Sequence, residues 1–401
     1  MTAPLDGVRV IEIASWMAAP SACAILADLG ADVVKLEPIE GDPMRRKGRQ
    51  PKVPDRPMID EPFQVDNRGK RGVAVALDEP EGAALAARLI GGVDVLVTNL
   101  LPHRQERFGL TPDQLLATNP RLVHATLSGY GLDGPDATRP GFDVTAFFGR
   151  AGLSDSQREP DGPPVFPRPA QGDHTTGLAL VAAVLSALRL VERTGEGQVV
   201  DVSLFGTAVW TMATDLSATI VDRRQPSRRG RHELITPLAN RFPCGDGKWV
   251  FLQMPEDRWW PRFCRAVGRD EWLDDERLQT TKGRFDHMAE LVDGIDETFA
   301  KRTRDEWAEI FDEHGLIWGP INDLADVVAD PQAAAAGLWA EIEHPEVGSF
   351  PTVANPIGIR DADTGPRGRA PAIGEHTDEL LGELGLDDAE IGRLRASGVI
   401  S

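Results

Sequence analysis

The chain has 401 residues, 41% of them hydrophobic and 26% charged, which suffices for one large domain plus a smaller one and excludes a disordered or collagen-like polymer. A formal net charge of −20 excludes nucleic acid and an anionic membrane surface as partners, because the overall field repels phosphate. Three scattered cysteines, Cys23, Cys244 and Cys264, with no CxxC or Cys/His pattern, argue against a disulfide framework and against zinc.

In chain order, VRVIEIA reads as a buried strand, PSACAILADLG as a helix stopped by Gly30, and ADVVKLE as the next strand. The pattern repeats with GVAVAL, the helical EPEGAALAARLIGG, VDVLVTNL, a short helix at TPDQLLATN, and RLVHATLSG. Strands alternating with helices at this spacing predict βαβ units and a largely parallel, doubly wound α/β sheet. Residues 131–172 are rich in Gly and Pro and read as ordered loops bracketing a short helix near 143–150. An apolar run at 177–192 predicts a buried helix, and GQVVDVSLF another strand. At VDRRQPSRRGRHE the composition turns basic and polar, which marks a domain crossing. The expected organisation is a large α/β domain over 1–225, a small α+β domain over 226–330, and a C-terminal segment over 331–401. The start MTAPLDGVRVIEI lacks a basic n-region, and no window approaches the length of a membrane span, so the expectation is a soluble, cytoplasmic protein.

Glu37 ends the second strand where a ribose-binding acid would sit. The turn before it, ASWMAAP, has no glycine, so the backbone cannot approach a pyrophosphate as a dinucleotide site requires. Two basic clusters, MRRKGR at 44–49 and NRGKR at 67–71, together with Arg104 and Arg107, suit a ligand carrying several phosphates if they lie at strand carboxyl ends; otherwise they form a solvated face. In AQGDHTTG, Asp173 precedes the apolar helix and is a natural N-cap, where the helix dipole would favour its anion. An ionised carboxylate there also suits a nucleophile, and Gly172 and Gly177 would leave room for a ligand. His174 follows directly and reads first as a packing or hydrogen-bonding residue. His103, His124, His232 and His376 show no metal spacing.

Across nearly its whole length the chain resembles the family III CoA-transferases of the CaiB/BaiF type, a group that includes formyl-CoA transferase, carnitine CoA-transferase and, as an offshoot, the α-methylacyl-CoA racemases. The resemblance runs from PLDGVRVIEIASWMAAPSACAILADLGADVVKLEPIEGDPMRR through DNRGKRGVAVAL, DVLVTNLLPHRQERFGL, SGYGLDGPDATRPGFD, GDHTTG and TGEGQVVDVSLF to GPINDLADVVADPQ and APAIGEHTDELLGELGL. It implies a Rossmann-like large domain, a small domain, a C-terminal return to the large one, and a homodimer whose chains interlock. It implies Asp173 as the nucleophile, acyl-CoA and a carboxylic acid as substrates, and no metal or permanently bound cofactor. By position it places Lys70, Arg71, Asn99, Arg107 and Arg139 at the CoA site. Departures from the formyl enzyme stand at Trp16 and Met17, which occupy the place of a glutamine, at Pro38, and in the lack of a glycine-rich loop over 225–250; they suggest a bulkier or more apolar acyl group. Trp16, Met17, Phe142, Phe147 and Phe148 are candidates for its pocket, ordinary core packing being the other reading. Racemase chemistry needs a histidine where this chain has Phe142 in GFD, and a non-catalytic acyl-CoA-binding protein is the remaining alternative.

Overall fold

A computed structural model describes residues 2–47 and 59–401. Of the basic cluster at 44–49, residues 48 and 49 and the side chains at 46 and 47 lie outside the described residues. The chain divides into two compact units. One holds the residues up to Ser156, Val165–Arg223 and Ala336–Ser401; the other holds Gln157–Pro164 and Arg224–Ala335.

The first unit is built on six parallel strands: β1 (Arg9–Ile13), β2 (Asp32–Glu37), β3 (Arg71–Ala74), β4 (Val95–Thr98), β5 (Val123–Ser128) and β6 (Gln198–Ser203). Their order is β3-β2-β1-β4-β5-β6, with every neighbouring pair parallel. Side-chain alternation feeds two cores. Val10, Val33, Val95 and Val97 pack with helices Ala18–Asp28 and Gln171–Thr194. Ile11, Val34, Leu36 and Leu96 pack with helices Pro80–Ile90, Thr377–Glu383 and Asp388–Ala396 on the opposite face. Both faces are therefore covered, which is why the strands read as nearly continuous apolar runs. The expected doubly wound α/β architecture is present, and its strand order reverses between β1 and β4, where ligands lodge in such sheets.

The two sheet edges differ. Beyond β3, Val75 pairs with Ile400 and the Ala76 N–H donates to the Val399 carbonyl, so the C-terminal segment covers that edge. The β6 edge has no further strand among the described residues, and its Val199 is 54% exposed. A hairpin of β10 (Trp339–His344) and β11 (Gly348–Val353) completes this unit. The second unit holds an antiparallel sheet, β7 (Ala239–Pro243), β8 (Trp249–Gln253) and β9 (Trp318–Ile321), around an aromatic core that includes Trp260, Phe263, Phe299, Trp307 and Phe311.

Two sequence expectations change. The short helix at 143–150 is a π-helix, Asp143–Arg150, a form that recurs at functional sites. The apolar helix starts six residues before 177 and runs Gln171–Thr194, so its 24 residues are long and apolar enough to cross a membrane, contrary to the reading of no such window. Its Leu180, Val181, Val184, Ala187 and Val191 are buried in the first core, the pattern of a domain's central helix.

Candidate active site

The first turn of helix Gln171–Thr194 is set by contacts from distant parts of the chain. Ala170 is its N-cap residue, with a left-handed φ of 72°, and the Ala170 N–H donates to Asp143 Oδ2 at 2.9 Å. Asp143 Oδ1 accepts the Val144 N–H at 2.6 Å, so this buried carboxylate ties the start of the π-helix to the start of the long helix. Asp173 is consequently not the cap expected from sequence; it is the third residue of the first turn. Nor do the flanking glycines make room for a ligand. A Cβ on Gly172 would come 2.7 Å from the Phe147 ring, and one on Gly177 would come 2.3 Å from Ser21 Oγ. They allow the π-helix and helix Ala18–Asp28 to pack against this turn.

Asp173 opens onto a crevice of about 350 Å³ at the β1/β4 reversal. Its walls include Trp16, Leu100, Leu127, Leu132, Phe142 and Leu204, with Ser15, Asn99, Ser128 and Arg104 as polar members. Asn99, just past β4, donates to the Ser15 carbonyl at 2.7 Å and accepts the Ser15 N–H at 3.1 Å, clamping the turn after β1. Trp16 follows in the left-handed region, φ 71°, a costly conformation for a bulky residue. Its N–H donates to Asp42 Oδ1 at 3.3 Å, and its ring meets Phe142 edge to face with centroids 5.3 Å apart. Of the aromatic and sulfur candidates for an acyl pocket, only Trp16 and Phe142 line the crevice. Phe147 and Phe148 are core residues, and Met17 packs against the cluster of Met44, Phe63 and Ala370.

The electrostatics of Asp173 run opposite to the expectation of a dipole-stabilised anion. Burial, then the carboxylates of Asp143 and Asp66, push its carboxyl up to about 7, with His174 pulling the other way. No described residue donates a hydrogen bond to it. His174 occupies a different environment: its Nε2 lies 3.0 Å from Asp66 Oδ1, and its ring lines a second cavity of about 160 Å³ with Ile25, Val65, Leu178 and Pro356. The Asp66 bond raises the His174 pKa against the effect of burial.

The basic residues read from sequence separate into three groups. Lys70 is buried, and its ammonium donates to Glu12 Oε2, the Pro20 and Asp66 carbonyls and Asn67 Oδ1, all within 3.0 Å. Four acceptors for three N–H bonds leave nothing for a phosphate, which corrects its assignment to the CoA site. Arg71 begins β3, at the amino end of the sheet and therefore away from the crevice, and is held by Asp32, Glu379 and Glu383. The cluster NRGKR precedes its strand and does not follow one, and that is the physical reason both residues miss the site. Arg107 and Arg139 are exposed, the former bonded to Asp78 at 2.9 Å and the latter 3.5 Å from Asp136. Neither lines the crevice, although Ala137, Pro140 and Gly141 beside Arg139 do. Arg104, one helical turn before Arg107, reaches the wall; sequence reading named it only as part of a basic run. Arg45, of the first cluster, is fixed by Glu37, which also accepts the Asp42 N–H, so Glu37 is a structural group here.

Glu12 bridges Lys35 at 2.8 Å and Lys70 at 2.5 Å, and Lys35 reaches Asp42 at 2.9 Å. Burial would raise the Glu12 pKa, but the two ammonium groups outweigh it and hold it low. This chain of charges ends at the Asp42 carboxylate that holds Trp16. Among the described residues no group of three or more His, Cys, Asp or Glu side chains is arranged for a metal.

The family model for CoA-transferase family III matches residues 5–377. The chain is 33% identical to (R)-2-hydroxy-4-methylpentanoate CoA-transferase of Clostridioides difficile, over 99% of both chains. It is likewise 33% identical to succinate–glutarate CoA-transferase of Agrobacterium fabrum, over 95% of this chain and 96% of that one. A solved CAIB/BAIF family protein from Brucella suis superposes with a TM-score of 0.84 at 32% identity, covering 96% of this chain and 100% of the other. With a match spanning more than nine-tenths of its length in both sequence and fold, the chain belongs to CoA-transferase family III.

Proposed function

We propose that the protein moves CoA from an acyl-CoA thioester to a free carboxylic acid, with Asp173 as the nucleophile. The observation that carries this reading is the placement of the Asp173 carboxylate, without a hydrogen-bonding partner among the described residues, at the crevice where the strand order reverses. The carboxylate attacks the thioester carbonyl and expels CoA thiolate, leaving an acyl–aspartyl anhydride. The thiolate attacks the aspartyl carbon, releasing the donor acid and forming an aspartyl-CoA thioester. The acceptor carboxylate then attacks that thioester to give a second anhydride, and the returning thiolate takes the acceptor acyl group and regenerates Asp173. Each tetrahedral oxyanion needs N–H donors, and the first-turn N–H groups of this helix have no intrahelical acceptor. Apolar walls suit the pantetheine arm, and we assign the phosphates to Arg104 at the wall, with Arg107 and Arg139 beyond it.

Racemisation would need two bases flanking one α-carbon. Phe142 carries no proton, and His174 opens onto a different cavity from Asp173, so the geometry favours transfer. The relatives named above act on a branched hydroxy acid and on dicarboxylic acids, and these two classes define the substrate panel. We further propose that the two compact units are the large and small domains of the family, and that a second copy of the chain covers the β6 side in an interlocked homodimer. Trp210, Ile220 and Val221, 75–80% exposed on helices Leu204–Thr211 and Ala213–Asp222, are apolar surface that such a partner would bury. Three free, buried cysteines suit the reducing cytoplasm.

The test is peptide mass spectrometry after incubation with branched 2-hydroxyacyl-, succinyl- and glutaryl-CoA and a hydroxylamine quench. A hydroxamate on Asp173, absent from Asp173→Asn, is the expected result. Solvent deuterium entering the α-carbon of an acyl-CoA with no such adduct would replace transfer by racemase chemistry.

A further inference from the structure

Local sequence preference would start helix Gln171–Thr194 later than it starts. Asp173 is a favoured N-cap type, whereas the residue that holds the N-cap place, Ala170, makes no side-chain cap and stands at φ 72°, a region disfavoured for alanine. The observed start is imposed from outside the helix. Asp143 Oδ2 accepts the Ala170 N–H at 2.9 Å and Oδ1 accepts the Val144 N–H at 2.6 Å, so both oxygens of a buried carboxylate hold two backbone segments together. The Ala170 carbonyl in turn accepts the His174 N–H at 2.8 Å and closes the first turn. Phe147, on the same π-helix as Asp143, packs against Gly172 in that turn, where a Cβ would come 2.7 Å from the ring. A helix beginning at Asp173 would instead draw its carboxylate back onto the N–H groups of Thr175 and Thr176, two and three residues on, and away from the crevice.

We propose that Asp143 is a positioning residue for the nucleophile: by holding the Ala170 N–H it puts the N-cap three residues ahead of Asp173, and so keeps the Asp173 carboxylate from capping its own helix and leaves it facing the crevice. Asp143 is not part of the crevice wall and acts only through the backbone of Ala170. Its chain neighbour Phe142 does line the crevice and meets Trp16 edge to face, so one short segment both walls the site and sets the turn that carries the nucleophile. The catalytic consequence rests on the transferase reading; the choice of helix start does not.

The experiment compares wild type with Asp143→Ala by amide hydrogen exchange along the helix and by the rate of Asp173 adduct formation against acyl-CoA concentration. In the variant the His174 amide loses its slow exchange, because its acceptor is the Ala170 carbonyl, while the amide of Val181 deeper in the helix keeps its own. At about pH 9, where Asp173 is ionised, the rate at saturating acyl-CoA falls about 10²-fold and the half-saturating concentration stays the same. Loss of the Asp143 charge alone would shift the acid limb and leave this plateau intact. A His174 amide as slow in Asp143→Ala as in wild type, or a plateau rate equal to the wild type's, overturns the proposal. Should Asp143→Ala fail to fold, Asp143→Asn, with one acceptor oxygen in place of two, is expected to move both readouts in the same direction by less, and no movement overturns the proposal there too. Wild-type protein that traps no adduct with any acyl-CoA removes the transferase reading, and the amides still decide where the helix begins.

Discussion

The network Glu12–Lys35–Asp42–Lys70 is wholly buried and the cluster Asp173–Asp143–Asp66–His174 only partly so, and within one unit the two balance their charge differently. In the first, two ammonium groups meet two carboxylates and each has further hydrogen bonds, so the charges cancel where they stand. In the second, the His174 imidazole meets Asp66 alone, one Asp66 oxygen is left without a partner, and burial with two neighbouring carboxylates pushes the Asp173 carboxyl up. Balanced buried charge fixes a loop; unbalanced charge gathers at the residue proposed as the nucleophile.

The sharpest way to break this contrast is Asp173→Asn. Turnover should fall by more than about 10³-fold, measured by CoA exchange between thioester and acid. The same change should stabilise the fold at pH 8. Folded Asp173 titrates near 7, above the unfolded value, so the native state binds the extra proton across that window and loses stability as pH rises through it. The melting-temperature gain of the variant should therefore shrink from pH 8 to pH 5, and the wild-type acid limb should lie near pH 7. Next in size, Glu12→Gln leaves two buried ammonium groups short of a counter-charge and should cost about 3–5 kcal/mol in urea unfolding. A smaller effect belongs to Arg104→Ala: KM for the CoA thioester should rise about tenfold with the melting temperature unchanged. Smallest, Arg71→Ala removes partly exposed ion pairs and should change stability by less than about 1 kcal/mol and KM not at all.

Much of the fold was legible because strand and helix periodicities are local. The alternation from VRVIEIA to RLVHATLSG led directly to five of the six parallel strands, and GQVVDVSLF to the sixth. Asp173 stood out because its motif is local too. What escaped depends on partners far along the chain. Lys70 looked like a surface cation until Glu12, Pro20, Asp66 and Asn67 converged on it. The early start of the long helix is dictated by Asp143, 27 residues upstream of Ala170. The His174–Asp66 pair spans 108 positions, and nothing at either end announces it. Arg104 and Arg107 carry the same signal in sequence, and only the seating of one short helix separates the wall residue from the exposed one.

The cover on the β3 edge has a consequence for synthesis. Val75 leaves the ribosome roughly 320 residues before Ile400, which at 5–20 residues per second is a wait on the order of tens of seconds. Throughout that interval a nascent chain that has already formed its sheet shows an open strand to every neighbour on the polysome. Chaperone occupancy of the emerging chain should therefore persist until the C-terminal segment appears, and tags joined close behind Ile400 should lower soluble yield more than tags placed at the other end.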